Sequence, residues 1–112
     1  MLLTKLKEAT SLRRTLETLK VDGPSRMFAA LGDPIRLRIA ILLCLKKDIC
    51  VTDLTELLGI SQPLVSHHLR ILREAGVVVV QRMGKIQCPQ LVSGHIKRMV
   101  MSTVMTKGKG GE

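Results

Sequence analysis

The first twenty residues carry apolar side chains at steps of three and four positions, with lysine, arginine and glutamate between them. A helix with one apolar face and one polar face has this period. The pattern therefore predicts an amphipathic helix over residues 2–19, followed by a turn at residues 22–24. The apolar stripe consists of Leu2, Leu6, Ala9, Leu12, Leu16 and Leu19.

Two more helices are predicted after this turn. Residues 25–31 indicate a short helix that Gly32 stops. Asp33 then serves as an N-cap and Pro34 as a first-turn residue of a third helix that reaches about Leu45. Apolar residues lie on more than one face of this third helix, which is typical of a helix at the centre of a core.

The middle of the chain has the order of a helix-turn-helix. Residues 52–58 predict a short helix that ends at Gly59, and Ser61 caps a second helix with Pro63 in its first turn. The second helix reaches about residue 75. Its predicted buried stripe consists of Val65, Leu69 and Leu72.

A β-hairpin follows the helix-turn-helix. Four consecutive valines at residues 77–80 predict a strand, and residues 83–85 predict a turn. Residues 86–90 predict a weaker return strand that Pro89 interrupts. A last helix is expected over residues 91–105. The fold class is thus mainly α with a small hairpin, in the order α-α-α-α-α-β-β-α: a winged helix-turn-helix.

Charge and composition narrow the class of partner. The 112 residues include 18 Lys+Arg and 9 Asp+Glu, a formal net charge of +9, which suggests a polyanionic partner. Eight of the positive residues and only two of the negative ones lie in residues 57–112, which places the partner-facing side there. Phe28 is the one aromatic residue, so binding of single strands by aromatic stacking is excluded.

The predicted helix-turn-helix supplies side chains suited to duplex DNA. The second helix of such a motif lies in the major groove, where glutamine can bind adenine and arginine can bind guanine or phosphate. Cations in the hairpin turn suit phosphate or the minor groove. The predicted DNA-binding residues are Ser61, Gln62, Pro63, Ser66, His67, Arg70, Arg73, Arg82 and Lys85.

A family resemblance rests on three stretches that occur in one order: FAALGDPIRLRIAILLCL, DICVTDLTELLGISQPLVSHHLRILREAGVV and RMGKIQ. Over about residues 24–92 the chain resembles the ArsR/SmtB family of winged-helix transcriptional repressors. The resemblance implies a homodimer that binds a partly palindromic operator in double-stranded DNA, with the first and last helices at the dimer interface. By the same resemblance the base-reading residues are Gln62, Ser66, His67 and Arg70, and the wing residues are Arg82 and Lys85.

The apolar stripes favour a homodimer independently of the resemblance. The apolar faces of the first and last helices have no obvious place on so small a core, and such faces commonly bind a partner chain. We expect a single winged helix-turn-helix domain over residues 1–106. Its expected parts are dimerisation helices at 1–20 and 91–106, a DNA-binding core at 24–91, and a flexible basic tail at 107–112.

The cysteines leave three interpretations open: structural residues, a thiol sensor, and a site shared between two chains. Family members that sense arsenite carry the motif CVCDLC, where this chain has CVTDLT: Cys50 matches the first cysteine, and Thr52 and Thr55 replace the others. Hydroxyls are poor ligands for a soft ion, so structural cysteines are favoured. One alternative is sensing of a metalloid, metal or oxidant by Cys50 with Cys44. Cys88, in the wing strand, is expected to lie at a distance from both.

No metal site or cofactor is expected, and the effector stays open. A second family class binds zinc on the last helix, where this chain offers Ser93 and His95, and one histidine is no chelate. His67 and His68 are adjacent and point about 100° apart on a helix, so they do not chelate one ion. We expect His68 to be packed and hydrogen-bonded.

The sequence also allows two functions other than sequence-specific DNA binding. A non-specific, chromatin-like DNA-coating protein and a winged-helix protein–protein module stay open as alternatives. An enzyme is not expected, because the chain has no P-loop, Rossmann fingerprint, HExxH motif or nucleophile–base–acid set.

The longest apolar run, residues 39–45, is far short of the roughly 20 residues of a membrane span. With no secretory signal and an odd cysteine count, we expect the cytoplasm and no membrane association.

Overall fold

The computed structural model describes residues 5–105. Over this part of the chain the helices and strands follow the predicted order, and the prediction of a mainly helical fold with a small hairpin is confirmed. The elements are α1 (Leu6–Thr18), α2 (Asp22–Leu31), α3 (Pro34–Leu45), α4 (Val51–Leu58), α5 (Gln62–Glu74), β1 (Val78–Met83), β2 (Ile86–Leu91) and α6 (Gly94–Val104). Leu2 and the predicted tail at 107–112 lie outside the described residues.

Helix α2 begins earlier than its sequence indicates. The predicted turn at residues 22–24 is wrong, because Asp22, Gly23 and Pro24 form the first turn of α2. Proline is tolerated there since the first N–H groups of a helix have no partner within the helix. The Asp22 carboxylate at this end also complements the helix dipole.

Helix α3 forms the centre of the core, as its two apolar faces predict. The Asp33 carboxylate caps it by accepting hydrogen bonds from the backbone N–H groups of Ile35 and Arg36, at 2.9 and 3.1 Å. Ile39 and Ala40 are fully buried, and helices α2, α5 and α6 all pack against α3. The residues that are most completely buried around them include Leu54, Val65, Leu72, Val77 and Val78.

The hairpin pairs β1 with β2 in an antiparallel register, and its turn consists of Gly84 and Lys85. Gly84 has a φ of +66°, which suits the first position of a tight hairpin turn. The predicted interruption at Pro89 is wrong: Pro89 lies within β2, opposite Val80. A two-stranded sheet has a free edge on each strand, where the missing N–H of proline costs no ladder hydrogen bond.

Helix α6 begins later than predicted and packs on the core. Leu91 is the last residue of β2, and the Ser93 hydroxyl caps the helix by accepting a hydrogen bond from the N–H of Ile96 at 3.3 Å. Ile96 and Val100 are buried, and α6 contacts α3 and β2. The expectation that this apolar face has no place on the core was therefore wrong, because α3 offers it a second apolar face.

Helix α1 differs from the other helices because none of its residues is buried. Its apolar stripe faces solvent: Leu6 is 84% exposed and Leu16 is 66% exposed. Within the described chain this stripe thus stays without a covering element, as its sequence predicts. No helix among residues 5–105 is both long enough and apolar enough to cross a membrane.

Candidate nucleic-acid interface

Helices α4 and α5 form a helix-turn-helix with a three-residue connection. Gly59 ends α4 in the left-handed conformation, with a φ of +67°, a conformation that glycine adopts without strain. The Ser61 hydroxyl then caps α5 by accepting a hydrogen bond from the N–H of Leu64 at 3.4 Å. Leu54 of α4 and Val65 of α5 are fully buried and hold the two helices together. The predicted caps are confirmed on both sides of the turn.

Helix α5 presents a polar face to solvent. Its buried side consists of the predicted stripe together with His68. On the exposed side, an Nη atom of Arg70 lies 3.2 Å from Nδ1 of His67, so these two side chains form one hydrogen-bonded surface. The exposed residues of this face and of its N-terminal end are Ser61, Gln62, Pro63, Ser66, His67, Arg70 and Arg73.

His68 fixes the position of α5 on the core. It is 7% exposed, and its Nδ1 accepts a hydrogen bond from Nη1 of Arg36 at 3.2 Å. The Nε atom of the same arginine donates to the carbonyl of Ala30 at 2.7 Å. Burial lowers the pKa of His68, which keeps the ring neutral and able to accept. The prediction of a packed, hydrogen-bonded histidine is confirmed.

An open groove separates the exposed face of α5 from the wing. One part, with a volume of about 430 Å³, lies along the length of α5. The other, of about 370 Å³, lies between the α4 and α5 N-termini and the hairpin turn. Val51, Ser66 and Gln87 line both parts, so we treat them as one feature, the α5–wing groove. Its other lining residues are Cys50, Thr52, Gln62, Pro63, His67, Leu69, Arg70, Arg73, Val80, Lys85 and Ile86.

The groove brings together most of the side chains that the sequence singles out. Ser61 and Arg82 are not among its lining residues. Arg82 is exposed on β1 and lies directly opposite Gln87, and opposed residues of an antiparallel pair point to the same face. Ser61 is exposed at the start of α5, with its hydroxyl used for capping. The predicted site residues that line the groove are Gln62, Pro63, Ser66, His67, Arg70, Arg73 and Lys85.

Sequence reasoning missed two polar residues in the groove. Gln87 and Thr52 both line it and are exposed. For Gln87 a signal exists: a two-residue turn sets the register of β2, which places Gln87 opposite Arg82 on the same face of the hairpin. Thr52 carries no such signal, since only the meeting of α4 with the wing brings it to the groove.

The cysteines do not lie where they were expected. The Sγ atoms of Cys50 and Cys88 are 3.4 Å apart, so the prediction that Cys88 lies far from Cys50 was wrong. The hairpin folds β2 back against α4, which places Cys88 beside the N-cap residue of that helix. Cys44 is buried elsewhere, with its Sγ 3.9 Å from the carbonyl of Lys97.

The same surroundings control the acidity of these thiols. The hydrogen bond with Cys88 is the main cause that raises the pKa of Cys50 to about 11, and Asp53 and Asp48 add to the effect. Burial raises the pKa of the Cys44 thiol. Among residues 5–105 no group of three or more histidine, cysteine or acidic side chains is arranged to hold a metal ion.

The fold and the site define a winged helix-turn-helix protein. The family model of bacterial regulatory proteins of the arsR family matches residues 33–80. An HTH-type transcriptional regulator of Methanocaldococcus jannaschii, MJ1325, is 35% identical over 81 residues, which cover 72% of this chain and 91% of that protein. This chain belongs to the arsR family.

The chain is also similar to two transcriptional repressors. The transcriptional repressor SmtB of Mycobacterium tuberculosis is 38% identical over 90 residues, or 80% of this chain. The match spans 65% of the SmtB length, somewhat less than two thirds of it. The crystal structure of the transcriptional repressor BigR from Xylella fastidiosa superposes with a TM-score of 0.68 and 26% identity, covering 85% of this chain and 97% of BigR. The matching family model describes bacterial regulatory proteins, the class of protein that the sequence predicts.

Proposed function

We propose that this chain is a sequence-specific transcriptional repressor that binds double-stranded DNA as a homodimer. The observation that carries the proposal is the α5–wing groove, which places the polar face of a helix beside an exposed hairpin. A duplex fits this arrangement when α5 lies in the major groove and the wing follows the adjacent backbone or the minor groove. The names of the relatives as transcriptional repressors and regulators support the same function.

Within this proposal the side chains in and beside the groove have separate roles. Gln62 and Ser66 lie near the start of α5, where a recognition helix faces base edges. Arg70, oriented by His67, can bind guanine or phosphate. Arg82 and Lys85 of the wing can bind phosphate or the minor groove. Ser61, Pro63 and Arg73 complete the proposed contact surface at α5, and Thr52 of α4 and Gln87 of the wing line the groove beside it.

The exposed stripe of α1 supports the homodimer. Burying apolar surface is favourable by roughly 25 cal/mol per Å², and α1 carries several exposed leucines that a second chain would cover. We extend the proposal to the domain organisation: one domain at 1–106 that dimerises through α1 and α6, a DNA-binding core at 24–91 and a basic tail at 107–112. The proposal includes a cytoplasmic location, because the DNA that a bacterial regulatory protein binds lies in that compartment.

Selection of bound duplexes from random DNA tests the proposal. We expect a defined, partly palindromic site with two half-sites roughly 34 Å apart and a steep salt dependence. Gln62→Ala and Arg70→Ala should relax base preference at single positions by about 1–3 kcal/mol. Lys85→Ala should weaken all sequences about equally and reduce the salt slope by about 1.

Arg38→Ala is the matched control, because Arg38 is an exposed arginine on α3 and does not line the α5–wing groove. It should leave base preference unchanged. Equal binding of all random duplexes at physiological salt would instead identify a non-specific DNA-coating protein. Unchanged base preference in both Gln62→Ala and Arg70→Ala would show that α5 is not the recognition helix.

A further inference from the structure

Two thiols from different elements meet at one end of the α5–wing groove. Cys50 is the N-cap residue of α4, and Cys88 belongs to β2 of the wing. Their sulfur atoms are 3.4 Å apart and not bonded. Cys50 is half-buried and lines the groove, whereas Cys88 is only 2% exposed. One thiol of the pair is thus open to small reagents and the other lies directly behind it.

We propose that Cys50 and Cys88 are an oxidation site that closes to an intramolecular disulfide, joining the N-terminus of α4 to the wing. Closure requires the sulfur atoms to approach by about 1.4 Å, to the usual bond length of about 2.05 Å. A rotation of one side chain, or a small shift of the hairpin, supplies a movement of this size. Cys44 is not a partner, since its sulfur contacts the carbonyl of Lys97 in α6.

The proposed oxidant is a hydroperoxide, small enough to enter the groove. The Cys50 sulfur attacks the outer peroxide oxygen, the O–O bond breaks, and the products are a sulfenic acid at Cys50 and an alcohol (or water from hydrogen peroxide). The Cys88 sulfur then attacks the Cys50 sulfur, and the S–O bond breaks to release water. In sum, two thiols lose two electrons and two protons, and the peroxide takes up both.

The hydrogen bond within the pair and the charges around it control the rate of this reaction. Asp48 and Asp53 face Cys50 from its own loop and helix, Cys88 faces it from β2, and Lys85 lines the same part of the groove. The raised pKa of Cys50, about 11, keeps this thiol protonated near neutral pH, and the thiolate is the reactive form. Oxidation should therefore be slow near pH 7 and faster near pH 9.

The disulfide would act on DNA binding, a consequence that rests on the proposed function. Ile86 and Gln87 directly precede Cys88 in β2, and they line the groove together with Lys85. A covalent tie at residue 88 changes the position of this strand relative to α5. We expect the oxidised protein to bind its selected operator about 5–150-fold more weakly than the reduced protein, and a thiol reductant should restore the affinity.

Peptide mapping of the full chain tests the covalent step without DNA. The reduced protein is treated with hydrogen peroxide, the remaining thiols are alkylated, and trypsin is added. Cleavage after lysine and arginine places Cys44, Cys50 and Cys88 in three separate peptides, residues 39–46, 48–70 and 86–97. We expect a linked pair of the second and third peptides, formed faster at the higher pH, from protein that runs as a single chain on a non-reducing denaturing gel. The linked pair should also form in Cys44→Ser, the matched control, and be lost in Cys50→Ser and Cys88→Ala.

The outcomes separate this inference from the proposed function. The proposed oxidation site would be overturned by any of three results: a sulfinic or sulfonic acid at Cys50 with no disulfide, a disulfide through Cys44, or a disulfide between two chains. Since Cys88 is buried, circular dichroism of Cys88→Ala is compared with that of Cys50→Ser, and the Cys50→Ser result decides if the former does not fold. A correct disulfide with unchanged operator affinity would overturn the effect on DNA binding. A reduced protein that binds no duplex would contradict the proposed function and leave the peptide result standing.

Discussion

Replacement of Arg36 by methionine should weaken the attachment of helix α5 to the core and so lower the free energy of unfolding. Arg36 donates to the ring of His68 on α5 at 3.2 Å and to the carbonyl of Ala30 on α2 at 2.7 Å. Both acceptor residues are buried, with 7% exposure for His68 and 4% for Ala30. Methionine keeps the length and the apolar character of the side-chain stem, so the substitution removes chiefly the two hydrogen bonds.

The expected loss of stability follows from the two acceptors that stay buried. A buried polar group that loses its partner costs about 1–3 kcal/mol, and partial access of water to Ala30 or His68 reduces that figure. For the two acceptors together we expect the free energy of unfolding to fall by about 2–4 kcal/mol. Arg38→Met is the matched control: Arg38 is exposed on the same helix, and surface changes of this kind are usually within about 0.5 kcal/mol.

The pH dependence adds a second test of the same contact. Burial lowers the pKa of His68, and the charge of Arg36 lowers it further. As the pH falls below the ordinary histidine value, the unfolded chain takes up a proton that the folded chain does not, so the wild type loses stability with acid. Without Arg36 the pKa of His68 rises and this loss is smaller. The difference in the free energy of unfolding between wild type and Arg36→Met should thus be largest above about pH 7 and smaller near pH 5.

Urea unfolding followed by circular dichroism measures both effects, at several pH values and at one protein concentration, because association would change the apparent stability. The reasoning would be refuted by a loss in Arg36→Met no larger than that in Arg38→Met. A gap of constant size across the pH range would show that Arg36 does not act on His68.

Two further predictions concern the cap of α3 and the stripe of α1. Asp33→Ala should lower the free energy of unfolding near pH 7 and have little effect on it in acid. Hydrogen bonds from the N–H groups of Arg36 and Ile35 lower the pKa of Asp33, so the stabilising contribution of its carboxylate is lost as the pH falls through that lowered pKa. Urea titrations at several pH values check this, and an effect that does not change with pH would contradict it. Leu12→Lys should shift the protein from dimer to monomer in sedimentation, whereas Ser11→Lys should not; an unchanged mass for Leu12→Lys would place the dimer contact elsewhere.

The order of elements and the helix-turn-helix could be predicted from the sequence because their causes are local. Asp33 and Ser61 cap the helices that follow them, and Gly59 takes the left-handed conformation between α4 and α5. Each of these acts over a few residues along the chain. The period of the apolar residues in α5 likewise determines which of its side chains face the core and which face solvent.

The tertiary structure decided where separate elements meet, because that depends on packing between residues far apart in the chain. The last helix finds a place on α3, which the small size of the domain did not suggest. Cys50 and Cys88 are 38 positions apart in the chain, and only the return of β2 against α4 brings their sulfur atoms within 3.4 Å. The same return places Gln87 across the groove from α5. Helical period and capping carry no information about such contacts, since they arise from the way the hairpin packs on the helix-turn-helix.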